Sequence, residues 1–339
     1  AICGGLIAVA FVLSPIVLEF KLPVHAVYYH GLRAGSWSTF KSELAQLKVI
    51  QERQGFYGQV AVVDMGPYRL LKHNGKTDAS TSIADNRTQI LLGHLPLFFH
   101  DNPKDVLAIG LGGGATLRAL TQNPDLRTIT MVEIDPLVTE TAREYFGDFN
   151  RHAIADPRVQ MVTNDGRNYV DSSTRKYDVI SSEPPNIWVA GVSGLFTQEF
   201  YRSASRHLNP GGILCQWLPL YEMEADDLRT TLATVQSVFP HVMFWAVGSD
   251  IALVAAVEPL VADLDKARTR MAFPGVLADL MEIQMPPEVL LGKLVKPDMS
   301  PERMKSFIGK VERLNTDDLP VLEFNTARNL YTFAKKQRG

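Results

Sequence analysis

The sequence predicts an α/β protein: a doubly wound, mostly parallel sheet preceded by a small antiparallel β-domain. Three observations carry this reading. A buried-strand run, Val106 to Ile109, passes straight into a glycine loop and a helix. Strand-like and helix-like segments then alternate as far as residue 257. Upstream, short β-prone segments are separated by glycine and proline turns instead of helices.

In order, the first 18 residues, Ala1 to Leu18, carry no charge. That is the lower limit for crossing a bilayer, and no basic n-region precedes them. They are read as the end of a transmembrane helix, the alternative being a buried apolar helix. Residues 19–45 read as a mildly basic juxtamembrane linker with some helix. Residues 46–80 form the small β-domain, with strands at Leu47–Glu52, Tyr57–Asp64 and Tyr68–Lys72 and a further turn at 73–76. Residues 81–257 form the larger domain, opened by an apolar helix from Thr88 to Phe99. Residues 258–339 are a helical extension broken by Pro286, Pro287, Pro297 and Pro301.

The glycine loop is the centre of the functional reading. Gly110, Gly112 and Gly114 follow the first strand, with Gly113 an extra flexible position. Glycines there let the backbone turn tightly and approach a ligand, and the helix behind them offers free N–H groups. Thr128 to Val132 is the next buried strand and ends at Glu133. An acid about 20 residues after the glycines, at a strand's carboxyl end, is placed to accept from a ribose diol. Asp135, just before Pro136, is the better helix cap. Later strands at 158–162, 177–182 and 213–217 bring the Asn164-Asp165-Gly166 turn and Glu183 to the same edge. Ligands bind at that edge in doubly wound sheets. Val242–Ala246 and Ile251–Ala255 read as a closing antiparallel pair around Gly248-Ser249-Asp250.

Composition sets bounds. The 339 residues are 46% hydrophobic and 21% charged, with a net charge of −3 and no basic run, so no nucleic-acid partner is expected. Cys3 and Cys215 are isolated, and the histidines lack ligand spacing. No metal is expected.

The order of β-domain, glycine loop, M-V-E-I-D, D-P-R-V, N-D-G-R and the D-V-I-S-S-E-P strand end resembles spermidine synthase, over roughly Gln51 to Leu218. It is most similar to the subgroup fused to a membrane transporter-like region. The run Ser182 to Val192, continuing into Leu195 to Tyr201, carries that subgroup's most specific signature. The resemblance implies a Rossmann-like sheet of the methyltransferase type. It implies transfer of an aminopropyl group from an S-adenosyl sulfonium donor to an amine acceptor such as putrescine, releasing methylthioadenosine.

Position by position, the resemblance implies that Gly110, Gly112 and Gly114 cradle the donor. Glu133 would hold the ribose, and Asp165 and Gly166 would border the adenine. Glu183 and Asn186 stand at the two acids of the catalytic D-x-x-D. Residues Trp188 to Leu195 would gate the site. Asp78, Gln89, Trp188 and Tyr221 complete a candidate substrate set.

Several positions depart from the family pattern. Gly113 replaces an acid that grips the donor's amino group, Asn186 replaces the second catalytic Asp, and Thr88 and Asp78 replace a Tyr and a Gln. Losing two carboxylates weakens a pocket for cations and removes repulsion toward a carboxylate. The donor is therefore expected to be decarboxylated S-adenosylmethionine or S-adenosylmethionine itself.

Glu183 reads as a base or cation guide, or as a strand-end acid held by backbone N–H groups. Tyr221, Glu222, Glu224, Asp226 and Asp227 would draw in a polycation or sit in a helix's first turn. Trp188 and Trp217 would wall the pocket or fill the core, and Asp317 and Asp318 would replace the missing acids. Two other functions stay open: an S-adenosylmethionine-dependent methyltransferase, and a nucleoside-binding regulatory domain without catalysis. The expected setting is a membrane-associated chain with its catalytic domain in the cytoplasm, and a homodimer is the oligomer considered.

Overall fold

The computed structural model describes residues 36–294 and 300–336. The span expected at Ala1 to Leu18 lies outside them. No helix among the described residues is long and apolar enough to cross a membrane. The described residues divide into two compact units, one reaching Ser80 together with residues 331–336, the other running from Thr81 to Leu330.

In the first unit, helix α1 (Trp37–Gln46) precedes strands β1 (Lys48–Gln54), β2 (Gln59–Asp64), β3 (Arg69–His73) and β4 (Lys76–Ser80). They pair antiparallel in sequence order. The sequence reading found three strands, and the fourth is a correction. Asn74 and Gly75 both have positive φ, 49° and 79°, so they form the two-residue turn of a hairpin. The strand it launches, Lys-Thr-Asp-Ala-Ser, is too polar to announce itself by alternation.

The second unit is built on a seven-stranded sheet. Helix α2 (Ile83–Phe99) leads into β5 (Asp105–Ile109), α3 (Ala115–Thr121), β6 (Thr128–Glu133), α4 (Pro136–Tyr145), β7 (Val159–Thr163) and α5 (Gly166–Ser172). Then follow β8 (Tyr177–Ser182), α6 (Gln198–Arg206), β9 (Leu208–Pro219), α7 (Ala225–Gln236), β10 (His241–Val247) and β11 (Asp250–Ala256). The spatial order is β10-β11-β9-β8-β5-β6-β7. Strands β7, β6, β5, β8 and β9 are parallel, and β11 runs antiparallel between β9 and β10. This is the Rossmann-like α/β fold the sequence predicts.

The segment 164–166, read as a turn, is instead a helix start. Asp165 is the N-cap of α5 and accepts from the Asn168 N–H at 2.8 Å. The turn read at Asn209 to Gly212 is absorbed into the long strand β9. Asp135 caps α4 through the Leu137 N–H, with Pro136 at the first helical position. Thr197 caps α6.

Side chains alternate across the strands and build two cores. Leu214, Ile251 and Leu253 face one way with Phe200, Tyr201, Leu232 and Val235. Ile213, Cys215, Ala252 and Val254 face the other with Ile90, Leu91, Leu95 and Phe98 of α2. Helices α8 (Leu264–Met271), α9 (Pro274–Glu282) and α10 (Pro287–Leu294) extend the second core. Helix α11 (Pro301–Ile308) and the start of α12 (Val321–Lys336) extend the first.

Candidate active site

Strand order reverses between β5 and β8: the chain goes outward through β6 and β7, then returns to the other side of β5. The crevice at the carboxyl ends of those two strands is where such sheets bind ligands. Its two sides are built differently.

On the β6 side the main chain does the work. Gly110, at φ 89°, donates its N–H to the Val132 carbonyl at 2.9 Å. A Cβ there would lie 2.3 Å from the Glu183 carbonyl oxygen, so only glycine lets β5 and β8 close on each other. Gly112 and Gly114 also have positive φ, and Gly114 is the N-cap of α3. Glu133 is buried at the end of β6. Its Oε2 accepts from the Leu111 N–H and its Oε1 from the Asp135 N–H, each at 2.9 Å. The carboxylate thus fastens the glycine loop to the neighbouring strand end. Gly166 packs under the same edge, where a Cβ would meet Ile109 Cγ2 at 2.4 Å.

On the β8 side, side chains do the work. Glu183 directly follows β8 and is partly open. The Thr116 hydroxyl lies 2.6 Å from its Oε2 and 2.8 Å from the Gln89 carbonyl, and the Gln89 side chain also hydrogen-bonds Glu183. Asp250 opens β11. Because β11 runs backwards, its first residue meets Pro219 at the carboxyl end of β9, on the same edge. The Thr88 hydroxyl donates to its Oδ2 at 3.2 Å, and the Trp217 indole bonds it too. Consecutive residues of α2, Thr88 and Gln89, therefore hold two carboxylates.

Desolvation pushes the Glu183 carboxyl up to about 8; the bonds from Thr116 and Gln89 oppose the rise, and the charges of Asp85 and Asp250 add to it. Desolvation likewise pushes Asp250 up to about 6, against the bonds from Thr88 and Trp217 and with a contribution from Asp85. Glu183 thus feels the charges of both Asp85 and Asp250, and Asp250 that of Asp85.

Asn186 is 1% exposed, and its amide donates to the Tyr221 hydroxyl at 2.7 Å. Trp188 is half-buried in the following loop. The acids after β9 turn to structure. Glu224 and Asp227 form a capping box on α7, Asp227 also accepts from Asn325 and Asn329, and Asp226 pairs with Arg229. Asp317 makes a two-point ion pair with Arg167, which also donates to Gly194 and Thr197. Asp78 lies in the first unit, paired with Lys76 at 2.7 Å.

The structure therefore brings Gly110, Gly112, Gly114, Glu133 and Gly166 together around one strand end, with Asp165 capping the helix beside it. It joins Glu183 to Gln89 and Asn186 to Tyr221. Sequence reasoning missed Asp250, Asp85 and Thr116. The signal for Asp250 was available, since the first residue of an antiparallel closing strand falls at the carboxyl edge of its parallel neighbours.

Comparison with known proteins agrees with this fold. Residues 86–251 match the spermine/spermidine synthase domain. The chain is 38% identical over 155 residues to a polyamine aminopropyltransferase of Klebsiella pneumoniae, covering 46% of this chain and 54% of that one. It is 43% identical over 123 residues to that of Escherichia fergusonii, covering 36% and 42%. These matches span about half the length of the curated relatives. The spermidine synthase of Thermotoga maritima shares the fold, with a TM-score of 0.61 at 23% identity over 77% of this chain and 88% of that one. Over its strand–helix unit, the chain is thus similar to the spermidine synthase and polyamine aminopropyltransferase family.

Proposed function

We propose that this chain transfers an aminopropyl or related group from an S-adenosyl sulfonium donor to a small amine such as putrescine, releasing methylthioadenosine. The donor is decarboxylated S-adenosylmethionine or S-adenosylmethionine itself. The observation that carries the reading is the set of acids along the carboxyl edge of the sheet: Glu183 after β8 and Asp250 beside the end of β9, with Asp85 adding to both of their shifts. Mutually repelling, partly desolvated carboxylates are relieved by a bound cation.

In this reading Gly110, Gly112 and Gly114 receive the donor against the loop backbone. Glu133 accepts from the ribose, and Asp165 and Gly166 border the adenine. Asp250, the more acidic of the two shifted groups, anchors the acceptor's second ammonium. Glu183, near 8, takes the proton from the attacking amine. The amine nitrogen bonds to the carbon attached to sulfur, the C–S bond breaks, and its electron pair stays on the thioether that leaves. Positioning supplies most of the remaining rate. Gln89 steers Glu183, Asn186 fixes Tyr221, and Trp188 covers the crevice.

Incubation with labelled donors and a panel of amines, resolved by chromatography, is expected to yield methylthioadenosine. S-adenosylhomocysteine would indicate methyl transfer instead, and absence of both products with every acceptor would overturn the proposal. Asn186 favours one second reading, a nucleoside-binding regulatory domain, because an amide locked to Tyr221 stands where the family has a carboxylate. That reading predicts adenosyl-ligand binding without turnover.

A further inference from the structure

Behind the glycine loop, helix α9 places two acids against the strand–helix core, beyond the matched residues 86–251. Asp279 is fully buried. Its Oδ1 accepts from Arg118 Nε at 3.0 Å and Nη2 at 2.6 Å, and Arg151 Nη2 lies 2.8 Å away. Its Oδ2 is 3.1 Å from His94 Nε2. Glu282, one turn on, takes the other side of Arg118 at 3.0 and 2.5 Å and lies 3.5 Å from Arg151.

These contacts grip one corner of the chain. Arg118 also donates to the Phe149 carbonyl at 3.1 Å and lies over the Phe149 ring. Arg151 and His152 are both held at φ 53°, a left-handed backbone that non-glycine residues keep only when their surroundings impose it. Between Phe149 and Arg151, Asn150 reaches the loop. Its Nδ2 donates to the Gly113 carbonyl at 3.2 Å and to the Ala142 carbonyl at 3.1 Å. Its Oδ1 is buried without a partner among the described residues. A buried acceptor left unpaired is costly, so the side chain is kept for what its amide N–H groups hold. A Cβ on Gly114 would lie 3.0 Å from Asn150 Cβ.

We propose that Asp279 and Glu282 are positioning residues for the donor seat. They hold Arg118 and Arg151, those hold the 149–151 corner, and Asn150 then fixes the Gly113 peptide and the direction of the loop's N–H groups. The helical extension thereby sets how well the loop receives an adenosyl ligand. The ligand part of this inference rests on the donor reading above; the mechanical part does not.

Three measurements on Glu282→Gln and Asn150→Ala test it: amide exchange at residues 110–116 without ligand, the Kd for methylthioadenosine, and thermal midpoint. Glu282→Gln leaves the Arg118–Asp279 pair in place, which keeps the fold intact. Both variants are expected to exchange faster at 110–116 and to bind methylthioadenosine about tenfold more weakly, with the amine KM unchanged. A lowered midpoint with unchanged exchange and unchanged Kd would make the network merely structural and overturn the proposal. Faster exchange with an unchanged Kd would overturn it too. If the wild-type chain binds no methylthioadenosine, the donor reading fails, and the exchange measurement still decides the brace.

Discussion

Glu133 and Glu183 each stand at or next to the carboxyl end of a strand, yet they are held in opposite ways. Glu133 accepts two backbone N–H groups, from Leu111 and Asp135. Glu183 is held by side chains, Thr116 and Gln89, and feels the charges of two further acids. Backbone wiring fixes a carboxylate as part of the fold. Side-chain wiring leaves its charge and proton open to adjustment by single substitutions. In the proposed reading, the donor side of the crevice is therefore part of the fold's own backbone framework, and the acceptor side is where single side chains set chemistry and specificity.

The largest break in that contrast is Glu183→Gln. The amide keeps the size and the Thr116 contact but cannot take a proton. Turnover, followed as thioether nucleoside release, is expected to fall about 10²–10⁴-fold, with donor affinity little changed. In the wild type the rate should rise with pH through about 8, because only the ionised carboxylate is a base. A variant with undiminished turnover would remove Glu183 from the chemistry.

Asp250→Asn comes next. The acceptor's anchoring charge is lost, so its KM is expected to rise about 10–100-fold, as for a charge-assisted bond of roughly 1.5–3 kcal/mol, while the donor KM stays put. Removing a neighbouring negative charge also moves the pH–rate limb of Glu183 toward acid. Donor and acceptor KM rising together would mean that Asp250 serves the fold instead. Glu133→Gln probes the other side. Its loss of one backbone acceptor, roughly 1–3 kcal/mol, should lower both thermal stability and nucleoside affinity, the joint loss that distinguishes backbone wiring.

A smaller effect separates the two sides by stability alone. Between the ordinary value of 4.5 and about 8, folded Glu183 keeps a proton that the unfolded chain has released. Folding stability therefore falls as pH rises through that window. Glu183→Gln lacks this slope, so its thermal midpoint should overtake the wild type as pH rises toward 8, by about 2–4 °C per kcal/mol relieved. Parallel pH profiles for the two proteins would contradict the buried-acid picture.

The same contrast explains what the sequence could show. The donor side was legible because its parts are local: a strand, glycines, a helix, and an acid at the next strand end. Gly110 must be glycine for a reason that two adjacent strands supply, and the spacing to Glu133 follows from one β–α–β unit. The acceptor side is assembled from α2, the glycine-loop helix, and the ends of β8, β9 and β11. Thr88 and Asp250 are 162 residues apart in the chain, so no spacing announces their contact. The acids of 224–227 look equally promising in sequence, but Glu224 and Asp227 are consumed by a capping box. β4 was missed because its strand is written in the Asn74-Gly75 turn and not in its own polar residues.

The finest test of the comparison is Asn186→Asp. Today the Asn186 amide donates to the Tyr221 hydroxyl at 2.7 Å. An aspartate would accept from that same hydroxyl, so the contact survives with its polarity reversed. The change adds a carboxylate to a side that already holds Glu183, Asp250 and Asp85. At about 1 kcal/mol for a partly screened pair, the acceptor KM should fall no more than about fivefold. The added charge should also push Glu183 further up and shift the pH–rate limb toward base. A variant that gains acceptor affinity yet turns over more slowly at neutral pH is the expected combination, because the charge that attracts the amine also keeps the proton on its base. A variant that changes neither would place Asn186 in the wall of the site, away from the acids that act.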